Sequence, residues 1–351
     1  MSPGRFLPLP VLAAGLFGLA SLVLAWASGG LSASLINRTK GGHYVNALFL
    51  SDWVRAGFPQ PMAFAEGYYA HFPRLSIGHW PPGWYLAELP LFLLFRPSPL
   101  GALAVSAFVA GLPALAVVWA FARIGRVRLG LALGLAYVLL PLTVESARYL
   151  LLDQPATLVA ALAAIAWARA SEAPGWRSFL LFALLAAAAP LVKGNGALVA
   201  LVPAIDIALT GRWRLLRRPG LWAAALVALA LVVPWYWLSM RISSGGFVYK
   251  PGLEYAWLAL AANAKAIGAN LGGGAVLAAI GALSAFRAAP EAERRIARLA
   301  LAVTAATLAF QSIVPAAIEP RYVAPALPWL VVARGAGDGP AVARRPAGAS
   351  P

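Results

Sequence analysis

His79-Trp-Pro-Pro-Gly-Trp-Tyr-Leu-Ala-Glu-Leu-Pro-Leu-Phe-Leu-Leu-Phe-Arg-Pro97 holds an apolar run, 84–95, whose reading decides the fold. Pro82 precedes the run, Arg96-Pro97 closes it, and Pro90 interrupts it. Twelve helical residues rise only about 18 Å, against a hydrocarbon core of roughly 30 Å. The run therefore reads as an interfacial or re-entrant helix and not as a crossing.

Working outward, apolar runs long enough or nearly long enough to cross are 7–28, 99–122, 127–142, 155–170, 177–192, 194–210, 220–240, 271–286, 298–317 and 322–333. The first is about as long as a full span, which favours an uncleaved helix over a signal peptide. With the N-terminus in the cytoplasm and 84–95 kept from crossing, 17 of the 28 Lys and Arg residues fall inside, in short loops. A crossing at 84–95 would instead put Arg212, Arg214, Arg217 and Arg218 outside, against the positive-inside rule. Acidic residues sort the other way. Asp52, Glu66, Glu88, Glu145, Asp153, Glu254 and Glu319 fall outside, with all three histidines, so chemistry is expected at the outer face.

Composition agrees. The chain is 61% hydrophobic and 11% charged, where soluble domains carry roughly 25% charge. The expectation is an all-α polytopic membrane protein of about ten transmembrane helices, its long first outer loop (29–98) carrying juxtamembrane helices. It divides into a membrane core at 1–215, C-terminal spans at 216–333 and a disordered cytoplasmic tail at 334–351. The net charge of +16 lies mostly between apolar runs, so lipid headgroups explain it and nucleic acid is not an expected partner. Without cysteine, thiolate chemistry and disulfides are excluded. No P-loop, dinucleotide fingerprint, Gly-x-Ser-x-Gly elbow or His-Glu-x-x-His is present.

The polar residues that remain mark a candidate site. Glu66 to Tyr85 gathers His71, His79, Arg74 and six aromatics. The spacing of His71 and His79 across Pro73 does not suit a metal pair on one helix face, and substrate contacts or loop support are the alternatives. Asp52 lies in an amphipathic segment, 43–56, and reads either as a base or as a solvated helix face. Glu66 reads as a catalyst or a loop residue. Asp153, just before Gln154-Pro155, suits a helix cap as well as a site. Lys193 lies in Lys-Gly-Asn-Gly196, where glycines let backbone N–H groups approach an anion. Arg148 and Arg321 each lie beside a tyrosine at the same face, where ion pairs with Glu145 and Glu319 compete with phosphate binding.

Taken in order, these segments resemble the GT-C class of integral membrane glycosyltransferases, in the branch of protein O-mannosyltransferases and the aminoarabinose transferase. The features are a long first outer loop and His79-Trp-Pro-Pro-Gly-Trp-Tyr85, then Asp153 opening a span, Leu191-Val-Lys-Gly194, and Arg321-Tyr-Val-Ala-Pro-Ala-Leu-Pro328. The resemblance implies inverting transfer of a sugar from a polyprenyl-phosphate donor to a lipid, glycan or protein acceptor, at the outer face of a bacterial-type inner membrane. It implies catalytic roles for Asp52, Asp153 or Glu66. Donor or substrate contacts would come from His71, His79, Arg148, Lys193, Arg321 and Tyr322. No cofactor is required, and a divalent cation at Asp153 is an option. The family's acid soon after the first span is missing from Ser34–Tyr44, which moves the base to Asp52 or Glu66. The rival readings are a lipid-linked sugar flippase or transporter, and a catalytically degenerate polytopic partner.

Overall fold

The structure, a computed structural model, describes residues 8–32, 38–95 and 97–336. Most of the tail expected to be disordered, 337–351, lies outside the described residues, as do Arg5 and Arg96. Among the described residues every regular element is helical. In chain order they are α1 (Pro8–Ala27), α2 (Arg38–Arg55), α3 (Pro61–His71), α4 (Gly83–Leu94), α5 (Pro99–Gly111), α6 (Ala114–Ala122), α7 (Val127–Val138), α8 (Pro141–Ala147), α9 (Asp153–Glu172), α10 (Trp176–Val192), α11 (Val202–Thr210), α12 (Pro219–Ser243), α13 (Leu253–Leu271), α14 (Gly274–Ala288), α15 (Glu291–Ile313) and α16 (Leu327–Ala336). Two 3-10 segments, Gly194–Leu201 and Pro320–Ala326, join α10 to α11 and lead into α16.

The chain is an integral membrane protein whose bent spans break at a proline or at paired glycines. α1, α5 with α6, α12 and α15 are each long and apolar enough to cross by themselves. α7 and α8 pass as a pair bent by 64° at Pro141, and α13 and α14 as a pair bent by 104° at Gly272–Gly273. That makes four crossings, or six with the bent pairs, by length and composition, so the expected count of ten is not established. The run at 271–286 belongs to the second bent pair, whose first half, α13, is an amphipathic helix that apolar runs alone did not reveal. The run at 194–210 begins as 3-10 helix, which rises about 2.0 Å per residue. Its 3-10 and α parts together extend roughly 30 Å, so a short run still matches the hydrocarbon thickness.

The core sits around α9. Its alanines let α10 approach closely, with Ala160, Ala163, Ala164 and Ala170 buried. Trp167, Trp329, Tyr137 and Phe121 fill the space between the bundles. At the other end of α9, Asp206 accepts from Trp167 Nε1 at 2.9 Å and pairs with Arg212 at 3.1 Å, which ties α11 to α9.

The outer loop folds as three short helices. α4 is the non-crossing helix read from 84–95. It packs on α2, and Arg55 donates from Nη2 to the Phe92 carbonyl at 2.6 Å in its last turn. Its start touches the end of α10, where a Cβ on Gly83 would stand 2.6 Å from the Leu191 oxygen. Only glycine permits that approach.

Candidate active site

Asp153 opens α9, but its carboxylate does not cap the helix. Leu152 is the N-cap residue, and the Asp153 side chain points to Lys193, whose Nζ donates to Oδ1 at 2.5 Å. The carboxylate is 1% exposed. Lys193 lies just past α10, in extended backbone after Pro190, and the Gly196 N–H closes the turn on the Lys193 carbonyl at 2.8 Å. A Cβ at Gly196 would collide with the Ala189 backbone, so the Lys-Gly-Asn-Gly sequence is what lets this turn close. Arg321 arrives from the far end of the chain on the 3-10 segment before α16. Its Nε stands 3.6 Å from Asp153 Oδ2, and Nη2 lies 3.8 Å from Glu319. Lys193 Nζ lies 4.7 Å from the Tyr322 ring centroid, close enough for a cation–π contact. Asp153 Oδ2 makes no hydrogen bond among the described residues. One acid therefore holds two cations where α9 begins and α10 ends.

The outer loop adds His43 to this cluster. It is 5% exposed on α2, with Nδ1 2.7 Å from the Tyr85 hydroxyl of α4 and its ring 5.1 Å from Trp80. Burial, then the charges of Lys193, Arg321 and His79, pull its pKa down to about 3. His43 is thus a neutral imidazole at neutral pH. Burial likewise raises the Tyr85 hydroxyl above its ordinary range, so it stays protonated and can donate to His43.

Lys193 and Tyr322 face a cavity of about 390 Å³ bounded by α12, α15, the Lys-Gly-Asn-Gly turn and the His79–Pro81 loop. Most of its wall is apolar, including Val232, Trp235, Met240, Phe247 and Phe310. Tyr236 on this wall donates to the Pro190 carbonyl at 2.8 Å, tying α12 to the turn. A larger apolar cavity of about 490 Å³, beside Leu9, Trp119 and Arg123, lies at the other end of the bundle and contains none of these groups.

The expected site residues separate into two sets. Asp153, Lys193, Arg321 and Tyr322 converge, and His79 lines the same cavity. Asp52, Glu66 and His71 do not join them. Asp52 is 41% exposed, accepts from Tyr68 Oη at 3.0 Å and lies 3.6 Å from Arg55. It stands nine residues beyond His43 on α2, about 13 Å further along the helix axis. Burial and the Asp52 charge raise the Tyr68 hydroxyl, which keeps it a donor and fastens α3 to α2. Glu66 is exposed, and exposed His71 bonds its own helix through the Gly67 carbonyl at 3.0 Å. Arg148 packs against Gly30 beneath α1. No three His, Asp or Glu side chains gather around a metal position among the described residues. Asp153 also faces two cations, which oppose a divalent ion.

Sequence reasoning passed over His43, Ser239 and Gln311, and read Lys-Gly-Asn-Gly196 for its lysine and glycines without giving Asn195 a role. His43 was legible as a histidine beside Tyr44 in a stretch without acids. Ser239 and Gln311 are lone polar residues near the ends of apolar segments, a signal too common to select them.

The fold has solved counterparts. ArnT from Cupriavidus metallidurans bound to undecaprenyl phosphate matches with a TM-score of 0.63 and 18% identity, over 92% of this chain and 59% of that one. The chain has the GT-C fold. The apo ArnT of the same organism matches with a TM-score of 0.53 and 22% identity, over 74% of this chain and 49% of that one. The chain thus spans about 59% of the length of the lipid-bound ArnT structure it matches. Residues 81–237, from the Pro-Pro turn to α12, match the family model described as dolichyl-phosphate-mannose-protein mannosyltransferase. No curated protein sequence matches the chain.

Proposed function

We propose that this chain is an outer-face glycosyltransferase that moves a sugar from a polyprenyl-phosphate carrier to an acceptor hydroxyl, with inversion, in a bacterial-type inner membrane. One observation carries the reading. Lys193, buried at the edge of an apolar cavity, and half-buried Arg321 beside it gather at one end of the spans, which suits the two halves of a lipid phosphate. That the ArnT structure with a similar fold holds undecaprenyl phosphate supports it.

In the proposed step the acceptor oxygen bonds to the anomeric carbon as the bond from that carbon to the phosphate oxygen breaks. The polyprenyl phosphate leaves with the electron pair, and Lys193 and Arg321 meet its charge. The acceptor proton passes to a carboxylate. Asp153 is the carboxylate at the cluster, and its Oδ2 has no hydrogen bond to give up. Asp52 holds α3 on α2 in this reading, and His43 and Tyr85 brace the loop against the cluster. The acceptor is a lipid, glycan or protein hydroxyl presented at that face.

The test is transfer of labelled sugar from a polyprenyl-phosphate donor in proteoliposomes. Asp153→Asn and Lys193→Met are expected to lower the rate by at least a hundredfold, with Asp52→Asn near the parent rate. An equal loss in Asp52→Asn would return the base to the loop. Donor uptake without a transfer product would replace the enzyme with a transporter.

A further inference from the structure

Besides Lys193, His79, Ser243 and two tyrosines, the wall of the 390 Å³ cavity includes three polar residues from three separate elements. Asn195 belongs to the Lys-Gly-Asn-Gly turn, Ser239 to α12 and Gln311 to α15. Asn195 Nδ2 and Oδ1, Ser239 Oγ and Gln311 Nε2 are buried with no hydrogen-bond partner among the described residues. Ser239 and Gln311 are each 4% exposed. Folded proteins pair more than about 90% of such groups, because a buried unpaired one is costly. Three orphans on residues that line one cavity therefore point to a ligand that completes them when these side chains turn toward it.

Their chemistry selects the ligand class. Two carboxamides and a hydroxyl offer donors and acceptors without charge. They share the cavity with Tyr322 and with Lys193, one of the two cations assigned above to the donor phosphate. No carboxylate lines this cavity, and Asp153 nearby is already engaged by Lys193 and Arg321. A cationic amino sugar would find no counter-charge there.

We propose that Asn195, Ser239 and Gln311 form the sugar subsite of the donor, and that the sugar is neutral and hydroxyl-rich. This rests on the lipid-phosphate reading of Lys193. The three side chains bind hydroxyls next to the phosphate, while the prenyl chain follows the apolar wall of α12. They contribute to the affinity for the glycosylated carrier and not to that for the bare one.

The experiment measures binding to the full chain in nanodiscs. The probes are undecaprenyl phosphate, undecaprenyl-phosphate glucose and its 4-amino-4-deoxy analogue. The parent protein is expected to bind the glucose lipid at least tenfold more tightly than the bare phosphate, and the amino analogue more weakly than the glucose lipid. Asn195→Leu, Ser239→Ala and Gln311→Met should each weaken the glucose lipid about tenfold, the loss expected for one hydrogen bond. They should leave undecaprenyl phosphate binding unchanged, whereas Lys193→Met weakens both. The Ser239→Ala and Gln311→Met proteins should unfold no earlier than the parent, because each loses an unpaired polar atom. Earlier unfolding would show that these atoms have internal partners and would overturn the subsite. Variants that leave the ratio of the two affinities untouched, or an amino analogue that binds best, would overturn it while the lipid-phosphate reading stands. A parent protein that binds no undecaprenyl phosphate would overturn both.

Discussion

Lys193→Met tests whether the buried pair is as tightly coupled as its geometry implies. The substitution keeps side-chain bulk and removes the charge that stands 2.5 Å from Asp153 Oδ1. At that distance and an effective dielectric constant near 20, the attraction is about 7 kcal/mol before desolvation is counted. Removing one partner of a buried pair costs roughly 3–5 kcal/mol, because the other charge stays buried. Arg321, 3.6 Å from the second oxygen, still answers the carboxylate, which sets the expectation near the lower end, about 3 kcal/mol. Asp153→Asn should cost at least as much, because it leaves Lys193 and Arg321 facing each other uncompensated. The double variant removes both charges, and its loss should be about 2 kcal/mol or less, well below the sum of the single losses. Unfolding in mixed micelles can be followed by the fluorescence of the 13 tryptophans, and sugar transfer measured alongside. All three variants should lack transfer, including the double variant whose stability has returned. Additive losses of stability would refute the pair as a coupled unit, and transfer by the double variant would refute its role in catalysis.

The loop contains two buried groups with opposite pH signatures. His43, pulled from 6.5 to about 3, stabilises the fold fully above pH 6.5 and loses that contribution as pH falls toward 3. His43→Phe should therefore flatten the acid limb of a stability–pH curve. Glu88, raised by burial from 4.5 to about 8, contributes fully below pH 4.5 and loses that contribution as pH rises through 8. Glu88→Gln, which resembles the protonated acid, should remove that alkaline slope; an unchanged slope would mean that Glu88 is solvated. Gly83→Ala puts a Cβ 2.6 Å from the Leu191 oxygen and should cost about 1–3 kcal/mol by pushing α4 off α10, read as an earlier unfolding midpoint. The chain has no cysteine, so single cysteines report topology on a clean background. A membrane-impermeant maleimide should label Tyr69→Cys in intact cells and Trp213→Cys only after lysis. The reverse pattern would invert the protein in the membrane.

Some of this was written in the residues themselves. Proline at 82, 90 and 97 around a twelve-residue apolar run kept α4 from crossing, because helix length and the missing N–H groups are local properties. The charge sorting placed Asp153, Lys193 and Arg321 at one face for the same reason: positive-inside asymmetry is read loop by loop. Asp52 shows where this stopped. An acid on a polar helix face looks the same in sequence whether it meets a substrate or a tyrosine. Arg55 is its neighbour on the same helix, and only the packing of α3 on α2 gave it Tyr68 as a partner.

The sequence by itself determined a helical membrane protein and sorted its acids and histidines to one side of the expected topology, because apolar length and basic loops act over tens of residues. The tertiary structure decided which polar residues meet. Asp153 reaches Lys193 across 40 positions, and Arg321 from further still, because α9, α10 and the segment before α16 end side by side. It also decided that Asn195, Ser239 and Gln311 line one cavity. Their lack of partners is a property of packed surroundings, which no single stretch of the chain contains.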